Sequence, residues 1–185
     1  MAKDTISCLS LDLGANLGWS KIQARLRPEI TITVSDHGTV DLNKLTDNRM
    51  RLAYNNIYQR NRVKSMIYEE TIIKLVNRLK YDCFITEDVF CHPNHISAFR
   101  ALVLYMETLE RVVNIEKQKR LFTIPPTLIK KHISDYGLAD KAKVQEAILA
   151  NKNIIIKNPE DMSEHEADSI ACAWAFVHEF LVFSI

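Results

Sequence analysis

Four residues of types that suit metal chemistry stand where an ordinary hydrophobic core would not place them. Asp12 ends an apolar strand, and Glu87 follows the apolar run Cys-Phe-Ile-Thr on a strand that has to be central. His165 and Asp168 lie three residues apart near the start of the last predicted helix, so they share one helix face. Each residue alone has an ordinary explanation: a turn cap, an exposed strand end, or an acid that complements the helix dipole.

Taken together, three carboxylates and one imidazole indicate a site for divalent metal ions. Hard oxygen donors with open water positions are what Mg²⁺ or Mn²⁺ requires. We expect two ions per active site, about 4 Å apart, because such a pair activates a water and stabilises the leaving 3′ oxygen of a phosphodiester. His165 favours Mn²⁺ somewhat, or serves as a general base. The four side chains should converge within a sphere of about 8 Å.

The neighbours of these residues are predicted to point elsewhere. Side chains alternate along a strand, so Asp88 should lie on the face opposite Glu87, and only one of the two should join Asp12. On the last helix, Glu164 and Glu166 flank His165 and should lie away from the face that it shares with Asp168.

The elements that would position the site follow the order three strands, helix, strand, helix, strand, helices. We predict strands and helices over these ranges: strands 6–13, 17–24, 29–35, 82–88 and 120–124; helices 48–79 (capped by Asp47), 95–117, 127–134, 140–150 and 164–182. This order predicts an α/β, ribonuclease H-like fold. Its mixed five-stranded sheet, a three-strand antiparallel meander plus two parallel strands, is flanked by helices. The length of 185 residues predicts a single domain over 1–185.

Composition and charge favour a globular protein that binds phosphates with one surface and metal ions with another. The net charge is only +1, but residues 49–80 carry eight Lys or Arg against two acids, and residues 111–157 carry ten against four. Residues 159–185 hold six acids and no Lys or Arg.

No apolar run is long enough to span a bilayer, and no signal-peptide core is found, so we expect a cytoplasmic protein without membrane contact. Four cysteines without close pairs predict reduced thiols.

Four segments resemble the motifs of the RuvC family of Holliday junction resolvases. Ser-Leu-Asp-Leu-Gly-Ala-Asn-Leu-Gly-Trp-Ser at 10–20 is similar to its first motif, and Phe-Ile-Thr-Glu-Asp-Val-Phe at 84–90 resembles its second. The basic segment 129–145 is similar to the long basic segment of the family, and His-Glu-Ala-Asp-Ser-Ile-Ala at 165–171 resembles its last motif. The long 41–64 region and the helix at 95–113, which lacks the glycines of the family, indicate a divergent branch such as a phage-encoded one.

The resemblance implies a homodimeric endonuclease that makes paired nicks across a Holliday junction and leaves 5′-phosphate and 3′-hydroxyl ends. It assigns metal ligation to Asp12, Glu87, His165 and Asp168. Lys130 and Lys141 match lysines that approach the scissile phosphate, and Lys131 and Lys143 belong to the same DNA-binding segment. Phe90 matches an aromatic that stacks on opened bases. A core position is the alternative for Phe90, and a solubilising helix face is the alternative for the lysines.

Two other functions fit the same fold. One is a ribonuclease H-like nuclease acting on RNA–DNA hybrid, against which the basic 129–145 segment favours DNA. The other is a non-catalytic junction-binding protein, although all four ligand positions hold competent ligands. For the homodimer, the predicted interface is the helix at 95–113, with a smaller contribution from the preceding helix. The residues concerned are Ile96, Phe99, Val103 and Met106, and then Tyr54, Ile57 and Tyr58.

Overall fold

A computed structural model describes residues 4–51, 60–78, 80–91, 96–134 and 141–181, and its elements follow the predicted order. The strands are β1 (Thr5–Asp12), β2 (Asn16–Arg25), β3 (Thr31–Asp41), β4 (Cys83–Glu87), β5 (Arg120–Ile124) and β6 (Ile154–Ile156). The helices are α1 (Leu42–Arg49), α2 (Arg60–Asn77), α3 (Ile96–Glu110), α4 (Pro126–Ser134), α5 (Lys141–Ala150) and α6 (Glu164–Phe176). The wider π-helical turns Arg111–Glu116 and Val177–Leu181 continue α3 and α6.

The strands form one mixed sheet in the order β5-β4-β1-β2-β3-β6. β1, β2 and β3 pair antiparallel, and β4 and β5 run parallel to β1. The predicted ribonuclease H-like arrangement is therefore confirmed, but with six strands instead of five. The additional β6 is three residues long and runs parallel to the outer strand β3. A three-residue apolar run shows no alternation by which a strand is recognised, so the sequence did not reveal it.

Both faces of the sheet are covered by helices, and the alternation of side chains decides which face each residue joins. Cys8, Cys83 and Ile85 pack with α4, α5 and α6. Leu9, Leu11 and Phe84 pack with α1, α2 and α3 on the opposite face. Asp12 and Glu87 continue the periodicity of Cys8 and of Cys83 and Ile85, respectively, so both carboxylates end their strands on the α6 side.

The helix predicted over 48–79 is wrong at its start. β3 runs on to Asp41, whose Oδ1 accepts from the Lys44 amide at 2.9 Å and caps α1. Asp47, the predicted cap, lies inside α1 and pairs with Arg60 instead. The helical pattern alone does not distinguish the two aspartates, because a cap needs extended backbone and only Asp41 ends a strand. Residues Tyr54, Ile57 and Tyr58, predicted to help in dimerisation, lie outside the described residues.

The apolar stripe predicted on the helix at 95–113 is divided between the core and the surface. Met106 is buried, Phe99 and Val103 are half-buried, and Ile96 is 55% exposed. Leu104, which was not part of the predicted stripe, is 41% exposed. The outer side of α3 therefore keeps some apolar surface. Across the described ranges, no helix has both the length and the hydropathy that crossing a membrane requires.

Candidate active site

The start of α6 rests directly on β2, and Gly18 makes this contact possible. A Cβ atom on Gly18 would lie 2.2 Å from the backbone oxygen of His165 and 2.8 Å from its Cβ. Only a residue without a side chain permits that approach. Ser163 caps the helix by accepting from the Glu166 amide at 3.3 Å. Gly18 and this cap together bring the first turn of α6 to the end of β1, where Asp12 stands.

His165 contacts Asp12 directly. Its Nδ1 lies 2.9 Å from Asp12 Oδ2, and its Nε2 lies 3.3 Å from Asn16 Nδ2. A carboxylate only accepts and an amide nitrogen only donates, so we assign the proton of the neutral ring to Nδ1, with Nε2 accepting from Asn16. Glu164 Oε1 lies 3.6 Å from His165 Nε2. The prediction that Glu164 lies away from the site is therefore wrong, and Asn16 is a neighbour that sequence reasoning missed.

The three carboxylates line one pocket of about 250 Å³ at the end of β1 and β4. Asp12, Glu87 and Asp168 share this pocket with Phe90 and with Leu102 of α3. They also act together on a residue beneath them, the fully buried Cys172. Burial raises the pKa of the Cys172 thiol well above its usual range, and the charges of Glu87, Asp12 and Asp168 raise it further. Asp12, Glu87 and Asp168 thus lie around one pocket and near the same buried thiol.

The donor types in the pocket suit a hard divalent cation, but the donor atoms are not arranged as a complete metal site. Among the described residues, no group of three or more His, Cys, Asp and Glu side chains is arranged to hold a metal ion. The Nδ1 of His165 donates to Asp12, and a nitrogen that carries a proton has no lone pair for a metal. Loading the site would therefore replace this hydrogen bond or use Nε2, which now faces Asn16.

Asp88 and Phe90, which follow Glu87, also line the carboxylate pocket. The pocket is lined from both faces of the sheet, since Leu13 and Leu102 belong to the opposite face, so the expectation that Asp88 points away from Asp12 stays a prediction. β4 ends at Glu87, and the Asp88 amide bonds to the Ile124 oxygen at 2.9 Å, which continues the pairing with β5 by one hydrogen bond. Phe90 lies at the rim of the pocket and is 67% exposed, which removes the alternative of a core aromatic.

The predicted DNA-binding lysines lie on the two helices that pack beside α6. Lys130 is half-buried in α4 and Lys131 is exposed there, whereas Lys143 is exposed in α5. Lys141 begins α5, and its side chain lies outside the described part of the structure. None of the other three is among the described residues that line the carboxylate pocket. The helices that carry the lysines thus pack on α6, but Lys130, Lys131 and Lys143 do not line the pocket.

A second buried pair, His37 and Glu166, holds the first turn of α6 against β3. His37 Nδ1 pairs with Glu166 Oε2, and His37 Nε2 lies 3.1 Å from the Lys157 carbonyl oxygen. Thr39 Oγ1 and Ser163 Oγ donate to Glu166 Oε1 at 2.8 Å and 2.9 Å. Glu166 does point away from the Asp12 pocket, as predicted.

Glu166→Gln should lower stability at neutral pH and lose this effect in acid. Burial opposes the charged form, but hydrogen bonds from Thr39, His37 and Ser163 outweigh it, so the pKa of Glu166 lies below its ordinary 4.5. A lowered pKa in the folded state stabilises the fold above the ordinary value, and this contribution disappears as the pH falls through the folded value. We expect urea unfolding at pH 7 to show a loss of about 3 kcal/mol, as for other broken buried pairs.

The matched control is Glu160→Gln, which removes an exposed carboxylate in the turn just before α6. It should leave stability unchanged at both pH values. Equal stabilities of wild type and Glu166→Gln at neutral pH would show that the pair does not hold α6.

Comparison with known proteins agrees with the motifs and with the fold. No protein-family model matches the chain. The crossover junction endodeoxyribonuclease RuvC of Finegoldia magna is 31% identical over 109 residues, which make up 59% of this chain and 63% of that protein. The chain thus matches a little less than two thirds of the length of this relative.

Solved structures match over almost the whole chain. The RuvC structure of Thermus thermophilus has a TM-score of 0.69 at 12% identity, covering 96% of this chain and 97% of that one. T. thermophilus RuvC in complex with Holliday junction substrate has a TM-score of 0.66 at 11% identity, covering 93% of each chain. The yeast mitochondrial Holliday junction resolvase Ydc2 reaches 0.65 at 12% identity, covering 91% of this chain and 76% of that one. The chain therefore has the ribonuclease H-like fold of RuvC, and the resemblance to the RuvC family that its four motifs predict is confirmed.

Proposed function

We propose that this protein is a divergent RuvC-type crossover junction endodeoxyribonuclease that cleaves branched DNA in recombination or repair. It resolves Holliday junctions by paired phosphodiester hydrolysis, leaving 5′-phosphate and 3′-hydroxyl ends. The observation that carries this proposal is the meeting of Asp12, Glu87 and Asp168 in one pocket, with His165 bonded to Asp12. The name of the F. magna relative and the junction-bound T. thermophilus structure support the choice of substrate.

The residues that would hold two Mg²⁺ or Mn²⁺ ions are Asp12, Glu87, Asp168 and His165. Bound there, the ions would activate the attacking water and neutralise charge on the scissile phosphate. The chain itself has to bring four ligands from β1, β4 and α6 to one place, and the Gly18 contact with His165 does so for α6. The hydrogen bond that His165 Nδ1 donates stabilises the Asp12 carboxylate.

DNA contacts outside the pocket fall to the basic segment and to Phe90. Lys130 and Lys141 approach the scissile phosphate, and Lys131 and Lys143 bind neighbouring phosphates. The exposure of Lys131 and Lys143 on helices beside α6 supports this role. Phe90 stacks on opened bases at the crossover. Its 67% exposure at the rim of the carboxylate pocket leaves the ring accessible to a base.

The working unit is a two-fold homodimer in the cytoplasm. The described part of one chain holds one pocket lined by Asp12, Glu87 and Asp168, and paired nicks at a near-symmetric junction need two such pockets. The apolar side chains Ile96 and Leu104 remain exposed on α3 and supply surface for a partner helix. Sedimentation with and without junction DNA would reveal the dimer.

A synthetic four-way junction provides the test of this proposal. The protein should release paired, ligatable nicks from the junction in Mg²⁺ or Mn²⁺, and none in the presence of a chelator. Linear duplex and RNA–DNA hybrid serve as controls and should stay intact. Cleavage of the hybrid alone would replace the proposal by a ribonuclease H-like activity. Tight junction binding without cleavage in either metal would leave a non-catalytic binding protein.

A further inference from the structure

A wide basic groove lies at the end of the sheet where β1 and β4 begin, opposite to the carboxylate pocket. Its cavity measures about 800 Å³ and is lined by residues at the start of β1 and β4, after the end of α2 and before β5. The carboxylates stand where β1 and β4 end, and the groove lies where the same strands begin. Ser7 in the groove and Asp12 in the pocket are five residues apart on β1. At about 3.3 Å per residue this is about 17 Å.

Four cations line this groove against one acid. Arg78 and Lys80 come from the segment between α2 and β4, and Lys117 and Lys119 come from the turn before β5. The acid, Asp82, already accepts from the amide and hydroxyl of Ser7 at 2.8 Å and 3.1 Å. Within the described part of the chain, Lys80, Lys117 and Lys119 take part in no ion pair. Arg78 lies 3.9 Å from Asp36, and both side chains are more than half exposed.

The fold itself brings these cations together from two basic stretches. Residues 49–80 and residues 111–157 both carry an excess of Lys and Arg, and the basic 129–145 segment explains only part of the second. Arg78 and Lys80 end the first stretch, and Lys117 and Lys119 stand near the start of the second. Solvated helix faces would explain each stretch alone, but not their meeting across one cavity.

Backbone hydrogen bonds fix both walls of the groove. On one wall, Asp82 N bonds to the Ser7 oxygen at 2.8 Å, which ties the residues before β4 to β1. On the other, the amides of Lys117 and Lys119 bond to the oxygens of Val112 and Val113 at 3.1 Å and 3.0 Å. Gln118 between them adopts a left-handed conformation with φ of 52°. The turn thus presents both lysines on the same side of the sheet edge.

We propose that this groove binds the phosphate backbone of a duplex DNA arm that leaves the active site. The inference rests on the proposed function, because it assumes that the substrate of this protein is branched DNA. The 17 Å from Asp12 to Ser7 is a straight line along the buried strand β1, and a duplex has to take a longer path over the helices that cover this strand. One helical turn of DNA is about 34 Å long, about twice that distance, so an arm of one to two turns is long enough to extend from the pocket to the groove.

The floor of the groove favours a nucleic-acid backbone over an acidic protein partner. Tyr81 and Phe84 are 5% and 2% exposed, so neither ring is accessible as an anchor for a protein partner. A protein interface draws its affinity from buried apolar and aromatic anchors. A phosphate backbone needs cations alone, and these contacts fix position without reading sequence.

The test removes one lysine from each wall, in the double variant Lys80→Gln/Lys119→Gln. Its matched control is Lys44→Gln/Lys152→Gln, which removes two exposed lysines outside the groove. Binding to a junction with arms of about two helical turns is measured over a range of salt concentrations. We expect the groove variant to bind on the order of tenfold more weakly at low salt, with a salt slope smaller by about 1.8. Its cleavage rate at saturating junction should equal that of the wild type.

Affinity and salt slope equal to those of the control variant would overturn the inference. Poly-glutamate is the second probe: lost binding of this polypeptide, with DNA binding unchanged, would also overturn it, in favour of an acidic protein partner. The same assay separates this question from the proposed function. A wild-type protein that does not cleave the junction refutes the nuclease proposal, whereas the groove is judged by affinity and salt slope.

Discussion

Asp12→Asn should abolish junction cleavage and preserve junction binding. Asp12 lines the pocket, contacts His165 and, with Glu87 and Asp168, raises the pKa of the same buried thiol, that of Cys172. Asn keeps the size of the side chain and an oxygen that accepts from His165, but it removes the charge that holds a divalent ion. Metal ions contribute several kcal/mol to such transition states. A loss of about 4 kcal/mol corresponds to a rate decrease of about a thousandfold.

Binding should survive, because the phosphate contacts are assigned to other residues. Removing one negative charge from a pocket that receives a polyanion should even tighten binding slightly. Single-turnover cleavage and gel-shift titration of the same junction measure the two effects. Asp4→Asn is the matched control, since Asp4 is exposed just before the other end of the same strand. Loss of cleavage and binding together, with the fold intact, would contradict the separation of the two roles.

The positions of Asp12 and Glu87 were predictable because both still belong to regular strands. Alternation along β1 and β4 puts both on the α6 side, and the parallel pairing of these strands brings their ends together. One residue further, Asp88 lies just past the end of β4, where no regular strand supports the same inference. Local periodicity thus predicts a site only as far as the element extends.

The pair of His37 and Glu166 was not predicted because its two residues lie far apart in the sequence. The partners are 129 residues apart, and Glu166 has the ordinary features of an acid in a first helical turn. The polar run around His37 also concealed the second half of β3, which was predicted to end at residue 35 and runs to Asp41. A sequence signal did exist: a histidine and a threonine two residues apart on a strand share one face. The carboxylate that accepts from both residues, on Glu166, can be identified only when the position of α6 is known.

Gly18→Ala should impair cleavage far more than it impairs folding. The added Cβ would lie 2.2 Å from the His165 oxygen, and that atom belongs to the backbone and has no rotamer by which to move aside. An ordinary C···O contact is about 3.3 Å, so the start of α6 has to retreat by about 1 Å. Overpacking of this kind costs about 1–3 kcal/mol of stability. A protein with about 5–15 kcal/mol of stability stays folded after such a loss.

The same retreat carries His165 away from Asp12, and Asp168 follows because it lies on the same helix turn. Misplacement of catalytic groups by about 1 Å costs about a hundredfold in rate. We therefore expect kcat to fall by about that factor, with junction affinity within about twofold of the wild type. Gly14→Ala is the matched control, since a Cβ there meets its nearest atom, the Asn16 oxygen, at an ordinary 3.4 Å. A Gly18→Ala protein that is folded and fully active would show that the spacing between β2 and α6 does not determine the geometry of the site.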